Sequence, residues 1–494
     1  MFKKAVLLIS LLSASVYCKH FRLGHSIGGN LGSPGDYDKD SEPLPKAQWF
    51  GQRLNHFARS DPQIWQQRYY VNTQFINLRF PLTIFLMIGG EGPADPRWMV
   101  KGAWVEYAKS FGAVCMMLEH RFYGKSHPTS DMSTKNLTYL SSEQALADIA
   151  NFITHIKDTL VPKDSKWIVF GGSYPGSLAA WMRLKYPHLV HAAVSSSGPL
   201  LAKVDFDRYF GVVVEALKEK TGNDDCVTVV KKGHKEIKKY IISNPELIEK
   251  EFSVCKPFST ATPQDMKNFY NSIADDFADV VQYNEDNRIS GNGKSKNITI
   301  NTVCKLLTEP GPDPAYVRLG KFNSIILNST NQTCLDYNYG NMITNLRNIS
   351  WSSDAGRQWM YQTCTEFGFY QTSSAVADVF GNNFPVDFFI QQCQDVFGRR
   401  FDGKFIKSAV HWTNANYGEL KIAETRVLYV HGTIDPWHAL GITEDSNVKE
   451  KGSGVIFING TAHCANMYPS SDSDLPALRK ARGQIAAFLR SWLA

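Results

Sequence analysis

The sequence has no run of about 20 apolar residues, which is the length that a membrane-spanning helix needs. Its net charge is only +6 over 494 residues, and the lysines and arginines are scattered. It also lacks a Cys-x-x-Cys pair and any cysteine–histidine spacing typical of zinc sites. We therefore expect no nucleic-acid partner, no membrane span, no metal and no cofactor.

The N-terminus has the pattern of a secretory signal peptide. Lys3 and Lys4 precede an apolar stretch at 5–16, which is too short to cross a bilayer, and we place the signal at residues 1–18. Residues 19–47 follow, and their content of Gly, Pro, Ser and Asp predicts a flexible tail or pro-segment. The protein is expected to enter the secretory pathway.

Cysteines and glycosylation sequons agree with export. Of nine cysteines, Cys18 is assigned to the signal, and six of the other eight lie between residues 226 and 393. Six cysteines in one region of an exported protein indicate disulfides, but their spacing allows 15 pairings. Six Asn-x-Ser/Thr sequons predict a glycoprotein; their asparagines are Asn136, Asn297, Asn328, Asn331, Asn348 and Asn459.

Strand-like and helix-like stretches alternate along much of the chain. Helical periodicity is expected from Ser141 onward, where a glutamine at capping distance follows the serine. Alternation of this kind indicates an α/β fold with a parallel sheet. The expected strands lie at 50–57, 64–71, 82–88, 113–118, 167–170, 192–195, 426–432 and 455–458.

A long helical, cysteine-rich stretch interrupts this alternation. We predict an α/β domain formed by residues 48–205 and 406–494, with residues 206–405 inserted between its two parts. Within the insertion, Thr262 and Pro263 mark the start of an amphipathic helix.

Residues 167–181 combine an apolar strand, a glycine-rich turn with one serine, and a helix of small residues. This is the layout of a nucleophile elbow, in which a strained turn lifts a serine hydroxyl to the edge of a parallel sheet. The usual pattern is Gly-x-Ser-x-Gly, but Pro175 replaces the second glycine and Gly176 follows it. An ordinary turn with a surface serine is the alternative interpretation of Ser173.

A nucleophilic serine needs a histidine base and an acid that orients it, and in α/β hydrolases these follow in the order Ser, Asp or Glu, His. Asp435 follows the strand at 426–432, and His463 follows the strand at 455–458. A helix cap at Asp435 and a structural role for His463 are the alternatives. Their order and positions predict a triad with Ser173.

The glycine-rich loop after the strand at 82–88 offers backbone amides for an oxyanion hole. We expect the amide of Gly90 to act there together with that of Tyr174, the residue after the serine. A nucleotide-binding loop would need a Gly-Lys-Ser/Thr ending or GxGxxG spacing, and this loop has neither.

Separate motifs in the same order resemble those of the S28 serine peptidases, a group that includes lysosomal Pro-Xaa carboxypeptidase, dipeptidyl peptidase II and thymus-specific serine protease. The resemblance runs from about residue 48 to the end and is nearest to the thymus-specific branch. The motifs are QQRY at 66–69, GGEG at 89–92, EHRFYGKS at 119–126, LSSEQALAD at 140–148, GGSY at 171–174, TCTEFGFY at 363–370 and DPW at 435–437.

The resemblance implies an α/β-hydrolase fold, with Ser173 as nucleophile, Asp435 as orienting acid and His463 as base. It implies that residues 206–405 form a disulfide-linked helical cap over the active site. It also implies the pairs Cys226–Cys304, Cys255–Cys334 and Cys364–Cys393, with Cys115 and Cys464 left over.

Members of this group cleave next to proline near a chain end, and the cap restricts entry to peptide termini. The resemblance therefore implies a secreted or lysosomal serine exopeptidase that acts on peptides with proline near a terminus. Trp437, Trp359 and Met360 are the candidates for the proline pocket. A lipase or esterase, and a binding protein without activity, are the alternatives. The required terminus and a homodimer remain open.

Overall fold

The structure is a computed structural model that describes residues 31–35, 43–77, 81–285, 298–351, 355–443, 448 and 452–494. The expected signal peptide, most of the expected tail and the sequon at Asn297 lie outside these residues. Across the described ranges, no helix is both long and apolar enough to cross a membrane.

Eight strands form one mixed sheet in the order β1-β2-β4-β3-β5-β6-β9-β10. Strand β2 pairs antiparallel with both β1 and β4, and all other pairs in this sheet are parallel. A separate parallel pair, β7 and β8, lies outside this sheet. The strands are β1 Gln48–Arg53, β2 Ile64–Asn72, β3 Thr83–Ile88, β4 Val114–Leu118, β5 Lys166–Gly172, β6 Ala192–Ser196, β7 Lys203–Asp205, β8 Gly368–Tyr370, β9 Val427–Gly432 and β10 Gly454–Ile458.

The fifteen α-helices of the described residues follow in chain order. They are α1 Ala103–Phe111, α2 Ser142–Thr159, α3 Tyr174–Lys185, α4 Arg208–Thr221, α5 Asp225–Ser243, α6 Pro245–Glu251, α7 Pro263–Gln282, α8 Ile300–Thr308, α9 Ala315–Ser329, α10 Tyr339–Leu346, α11 Gly356–Gln362, α12 Ala377–Phe380, α13 Val386–Phe397, α14 Gly403–Tyr417 and α15 Pro476–Leu493. A π-helical turn, Thr363–Phe367, directly follows α11.

The central strands are buried on both faces, which is why they read as continuous apolar runs. Alternate residues of β3 enter two different cores: Leu86 packs with the residues of α2 and α3, and Phe85 packs with those of α1 and α15. The predicted α/β fold is confirmed. One strand boundary is wrong, because β1 ends at Arg53 and the backbone of His56 instead donates to Oε1 of Gln144 in α2.

The helix starts follow the expected capping chemistry. The Ser141 hydroxyl accepts from the backbone of Gln144 at 3.2 Å and caps α2. Thr262 and Asp265 form a reciprocal capping box at the start of α7, with Pro263 in the first helical position.

The stretch between β6 and β9 is mainly helical, from Arg208 at the start of α4 to Tyr417 at the end of α14, and it also contains the short strands β7 and β8. The boundaries at 206 and 405 stay predictions. All three implied disulfides are confirmed within this stretch: Cys226–Cys304, Cys255–Cys334 and Cys364–Cys393. Cys115 and Cys464 are unpaired and buried, as implied.

Glycosylation of the sequons stays a prediction. Four of the asparagines are exposed, namely Asn328, Asn331, Asn348 and Asn459. Asn136 is half-buried, and its side-chain amide donates to Oδ1 of Asp131 at 2.7 Å.

Candidate active site

Ser173 lies in a tight turn between β5 and α3. Its φ of 65° and ψ of −132° are rare for a residue with a side chain, as a nucleophile elbow requires. Its backbone amide donates to the carbonyl of Ser196 in the neighbouring strand at 2.9 Å, which anchors the turn to the sheet edge. The predicted strand, turn and helix are therefore present in this order.

The glycines before Ser173 allow neighbouring chain segments to approach closely. A Cβ on Gly171 would lie 1.9 Å from the carbonyl oxygen of Pro175. A Cβ on Gly172 would lie 2.3 Å from Sδ of Met467 and 3.1 Å from Sγ of Cys464. The segment that carries His463 and Cys464 therefore packs directly against the elbow.

Asp435 and His463 are in direct contact. The imidazole Nδ1 lies 2.9 Å from each carboxylate oxygen of Asp435, and both side chains are buried. Asp435 also accepts from the backbone amide of Trp437 at 3.0 Å, so it caps a helical turn as well as holding the histidine. The two interpretations of Asp435 from the sequence, a triad acid and a helix cap, are therefore compatible.

The environment sets the charges of this pair. Burial acts to raise the pKa of Asp435, but His463, together with smaller effects of His431 and Ser197, holds that pKa below its ordinary value. Burial lowers the pKa of His463, but the Asp435 carboxylate outweighs it and raises the pKa. Nε2 of His463 has no hydrogen-bond partner among the described residues. The ring therefore has one nitrogen fixed by the acid and the other available for proton transfer.

Backbone contacts bring Ser173 and His463 to the same sheet edge. The carbonyl of Ser196, which accepts from Ser173, lies 4.0 Å from Sγ of Cys464. The amide of Cys464 donates to the hydroxyl of Ser197 at 2.9 Å. No hydrogen bond joins Nε2 of His463 to the Ser173 hydroxyl, and such bonds are often long in enzymes without substrate.

The two expected oxyanion donors are also neighbours. A Cβ on Gly90 would lie 2.3 Å from Cγ of Pro175, so the loop after β3 packs against the first turn of α3. Tyr174 is the first residue of that helix, and amides at a helix N-terminus have no partner within the helix.

Comparison with known proteins identifies the family of the chain. The family described as serine carboxypeptidase S28 matches residues 52–485. The chain belongs to the serine carboxypeptidase S28 family. It is a serine-type peptidase, a hydrolase whose substrates are peptides.

Relatives within the S28 family cover most of the chain. Thymus-specific serine protease of Mus musculus is 35% identical over 462 residues, which are 91% of this chain and 88% of that protein. The Homo sapiens protein of that name is 34% identical over 463 residues, or 91% and 87%. Lysosomal Pro-X carboxypeptidase of Homo sapiens is 26% identical over 458 residues, or 90% and 88%. The resemblance seen in the motifs is confirmed.

In this S28 peptidase, the side-chain hydroxyl of Tyr174 is held by a polar network that the sequence did not predict. Nδ1 of His120 lies 2.7 Å from the carbonyl of Arg121, so Nδ1 donates and Nε2 accepts from the Tyr174 hydroxyl at 3.1 Å. The same hydroxyl accepts from Nε2 of Gln362 at 3.1 Å, and Tyr123 donates to Oε1 of Gln362 at 2.6 Å. The end of α11 is thus tied to the elbow.

Glu366, in the π-helical turn, extends this network. Its carboxylate accepts from the backbone amide of Ser142 at 2.9 Å and from the Ser142 hydroxyl at 2.5 Å. Burial raises the pKa of Glu366 to about 7, against the effect of these hydrogen bonds. The TCTEFGFY motif carries Glu366, but the motif gave no reason to assign it a role.

The three candidate pocket residues are all buried and lie in two places. The Trp437 ring is centred 6.3 Å from that of His463. The Trp359 ring is centred 5.8 Å from that of Tyr174, and Met360 follows it in α11. Their role as a proline pocket stays a prediction. Where the chain is described, no cluster of three or more His, Cys, Asp or Glu side chains could hold a metal ion.

Proposed function

We propose that this S28 peptidase hydrolyses the peptide bond after a proline near a chain end, with Ser173 as nucleophile, His463 as general base and Asp435 as the orienting acid. The observation that carries the proposal is the bond from Nδ1 of His463 to Asp435, with Nε2 unpartnered beside a strained serine turn. That arrangement supplies both partners that a serine nucleophile requires.

The reaction follows from these roles. Nε2 of His463 takes the proton from Ser173 as Oγ attacks the scissile carbonyl carbon, and the charge that develops on the imidazole is balanced by Asp435. The backbone amides of Gly90 and Tyr174 donate to the carbonyl oxygen as it becomes an oxyanion. His463 then gives its proton to the amine as the C–N bond breaks. In the second half, His463 takes a proton from the water that attacks the acyl carbon and gives it to Oγ of Ser173 as the ester bond breaks.

Preference for proline is supported by the apolar surroundings of the triad. The indole of Trp437 lies two residues from Asp435 and beside the imidazole, where a compact ring without an amide hydrogen can pack. A relative at 26% identity is named lysosomal Pro-X carboxypeptidase. These two facts favour proline on the acyl side of the scissile bond.

Action near a chain end is supported by the helices between β6 and β9. The carbonyl of Gln282, the last residue of α7, accepts from the backbone amide of His463 at 3.0 Å. The inserted helices therefore reach the base itself, and a cap in this position would admit peptide termini more readily than chain interiors. Three disulfides in the stretch between β6 and β9 fit a secreted or lysosomal protein.

Covalent labelling combined with peptide digestion tests the proposal. A fluorophosphonate probe should label the wild-type protein, and labelling should be lost in Ser173→Ala. Digestion of a peptide library, read by mass spectrometry, should release products that end at proline, and should show whether a free amino or carboxyl terminus is needed. Fast turnover of p-nitrophenyl esters with no peptide cleavage would instead indicate an esterase.

A further inference from the structure

Gln282 contacts the candidate site with both its backbone and its side chain. It is the last residue of α7 and is 1% exposed. Its side-chain Oε1 accepts from the indole Nε1 of Trp437 at 2.9 Å and from the hydroxyl of Tyr209 at 2.6 Å. Its Nε2 donates to the hydroxyl of Tyr283 at 2.6 Å. One amide thus joins three aromatic side chains next to the base.

We infer that Gln282 is a positioning residue that sets selectivity for proline by fixing the plane of the Trp437 indole. The inference rests on the proposed function, because it assigns Trp437 to the proline pocket. A buried indole N–H needs an acceptor, and losing that acceptor leaves the ring with an unsatisfied donor.

The aromatic neighbours of the Trp437 ring contact it by packing. Its ring is centred 5.5 Å from Phe206, 5.9 Å from Tyr209 and 5.3 Å from Phe369. The hydrogen bond to Gln282 therefore fixes the direction of the indole N–H. Since Tyr209 donates to the same oxygen, Gln282 also holds one of the rings that flank the indole.

An uncharged amide suits this position better than a carboxylate. Gln282 lies beside the segment of His463, whose imidazole balances the buried Asp435. A second buried carboxylate here would repel Asp435 and compete for the imidazolium charge. A glutamine supplies an acceptor for two donors and a donor for Tyr283 without adding charge.

The backbone and the side chain of Gln282 have separable effects. Its carbonyl holds the backbone of His463 in any variant, while its amide reaches the indole. Replacing Gln282 with methionine, which has similar length and no amide, should therefore affect the proline pocket more than the triad. We expect kcat/KM for a prolyl peptide to fall about tenfold more than the rate of fluorophosphonate labelling.

The test compares Gln282→Met with wild type on a prolyl peptide, a matched alanyl peptide and the fluorophosphonate probe. The preference for proline should fall about tenfold, mainly through KM. In a Trp437→Phe background, which lacks the indole N–H, adding Gln282→Met should cause no further loss of preference. Gln264→Met, in the first turn of the same helix, about 27 Å away along its axis, is the control and should match wild type.

Each alternative result is informative. If Gln282→Met lowers prolyl turnover, alanyl turnover and labelling by the same factor, Gln282 has no part in selectivity and the inference is overturned. An unchanged preference for proline overturns it as well. If Gln282→Met does not fold, Trp437→Phe alone removes the indole N–H that Gln282 accepts from, and an unchanged preference for proline in that variant overturns the inference. If wild type is labelled but cleaves no prolyl peptide, the proposed function fails first, and that outcome is visible without any variant.

Discussion

Gly90 and Pro175 are packed so closely that a single methyl group on Gly90 would come within 2.3 Å of the proline ring. Pro175 occupies the second position of α3, where a missing amide hydrogen costs no helical bond. The next residue, Gly176, is the position where the turn needs a glycine, because a Cβ there would lie 2.6 Å from the carbonyl oxygen of Ser196. The departure from Gly-x-Ser-x-Gly is thus a shift of the glycine by one position.

This contact predicts that Gly90→Ala lowers activity by about 100-fold. The added methyl group would push the loop after β3 away from α3, and the loss of one oxyanion donor costs about 100- to 1,000-fold in kcat. The double variant Gly90→Ala with Pro175→Ala, which lacks the ring atoms that clash, should recover much of the loss. Values of kcat/KM for a prolyl peptide measure both effects, and wild-type activity in the single variant would contradict the prediction.

Asp435→Asn should reduce kcat by about 10,000-fold, the effect expected when the acid of a serine triad is replaced by its amide. The remaining activity of the variant should persist to lower pH than the activity of the wild type does. Asp435 raises the pKa of His463, and the base must be neutral to act, so removing the carboxylate moves the acidic limb of the kcat/KM profile to lower pH. Asp378→Asn, at an exposed ion pair with Lys231, is the control and should leave the profile unchanged. An acidic limb that does not move would argue against His463 as the base.

The stability of the wild type relative to Glu366→Gln should fall as the pH rises from about 4.5 to about 7. The pKa of Glu366 is raised from 4.5 to about 7 by burial, so the folded state binds the proton more tightly than the unfolded state does. The contribution of this proton to stability is therefore fully present below pH 4.5 and is lost as the pH rises to about 7, by about 3 kcal/mol in total.

Thermal unfolding at a series of pH values tests this difference. Glu215→Gln, at an exposed position of α4, serves as the control and should show no such trend relative to wild type. Parallel stability curves for wild type and Glu366→Gln would show that Glu366 does not titrate in this range.

Removing the Cys255–Cys334 disulfide should lower the free energy of unfolding by about 2–5 kcal/mol, because the bond closes a long loop in the unfolded chain. Urea denaturation of a variant with both cysteines changed to serine measures the loss. Cys115→Ser, at a buried thiol that forms no disulfide, is a control for the effect of the substitution itself. A loss no larger than that of the control would mean that this disulfide adds nothing measurable to stability beyond the packing around it and the other two disulfides.

Much of the fold was predictable because its buried strands leave continuous apolar runs and its helices begin at standard caps. Candidate residues at the ends of β5, β9 and β10 followed from the order of their types along the chain. The disulfides needed the resemblance to S28 peptidases, since six cysteines alone allow 15 pairings. The strands, helix starts and candidate site residues could be predicted from local sequence patterns, and the disulfides from the family motifs.

Contacts between the inserted helices and the sheet could not be predicted. Gln282 ends an ordinary amphipathic helix, and its amide meets Trp437 only after the insertion has folded onto β9 and its following turn. Gln362 is equally unremarkable in the sequence, although it contacts Tyr174. Glutamine has no spacing rule that marks a tertiary partner, so no local pattern could identify either residue.

The pairing of Val194 in β6 with Leu428 in β9 has a consequence for biosynthesis. Strand β6 leaves the ribosome early, but its neighbour is made only after all of the inserted helices. An apolar strand edge in the middle of the sheet therefore stays open through much of translation, and such edges readily recruit other chains. The interval before β9 is made is therefore the period in which a nascent chain is most exposed to pairing with other chains at this edge.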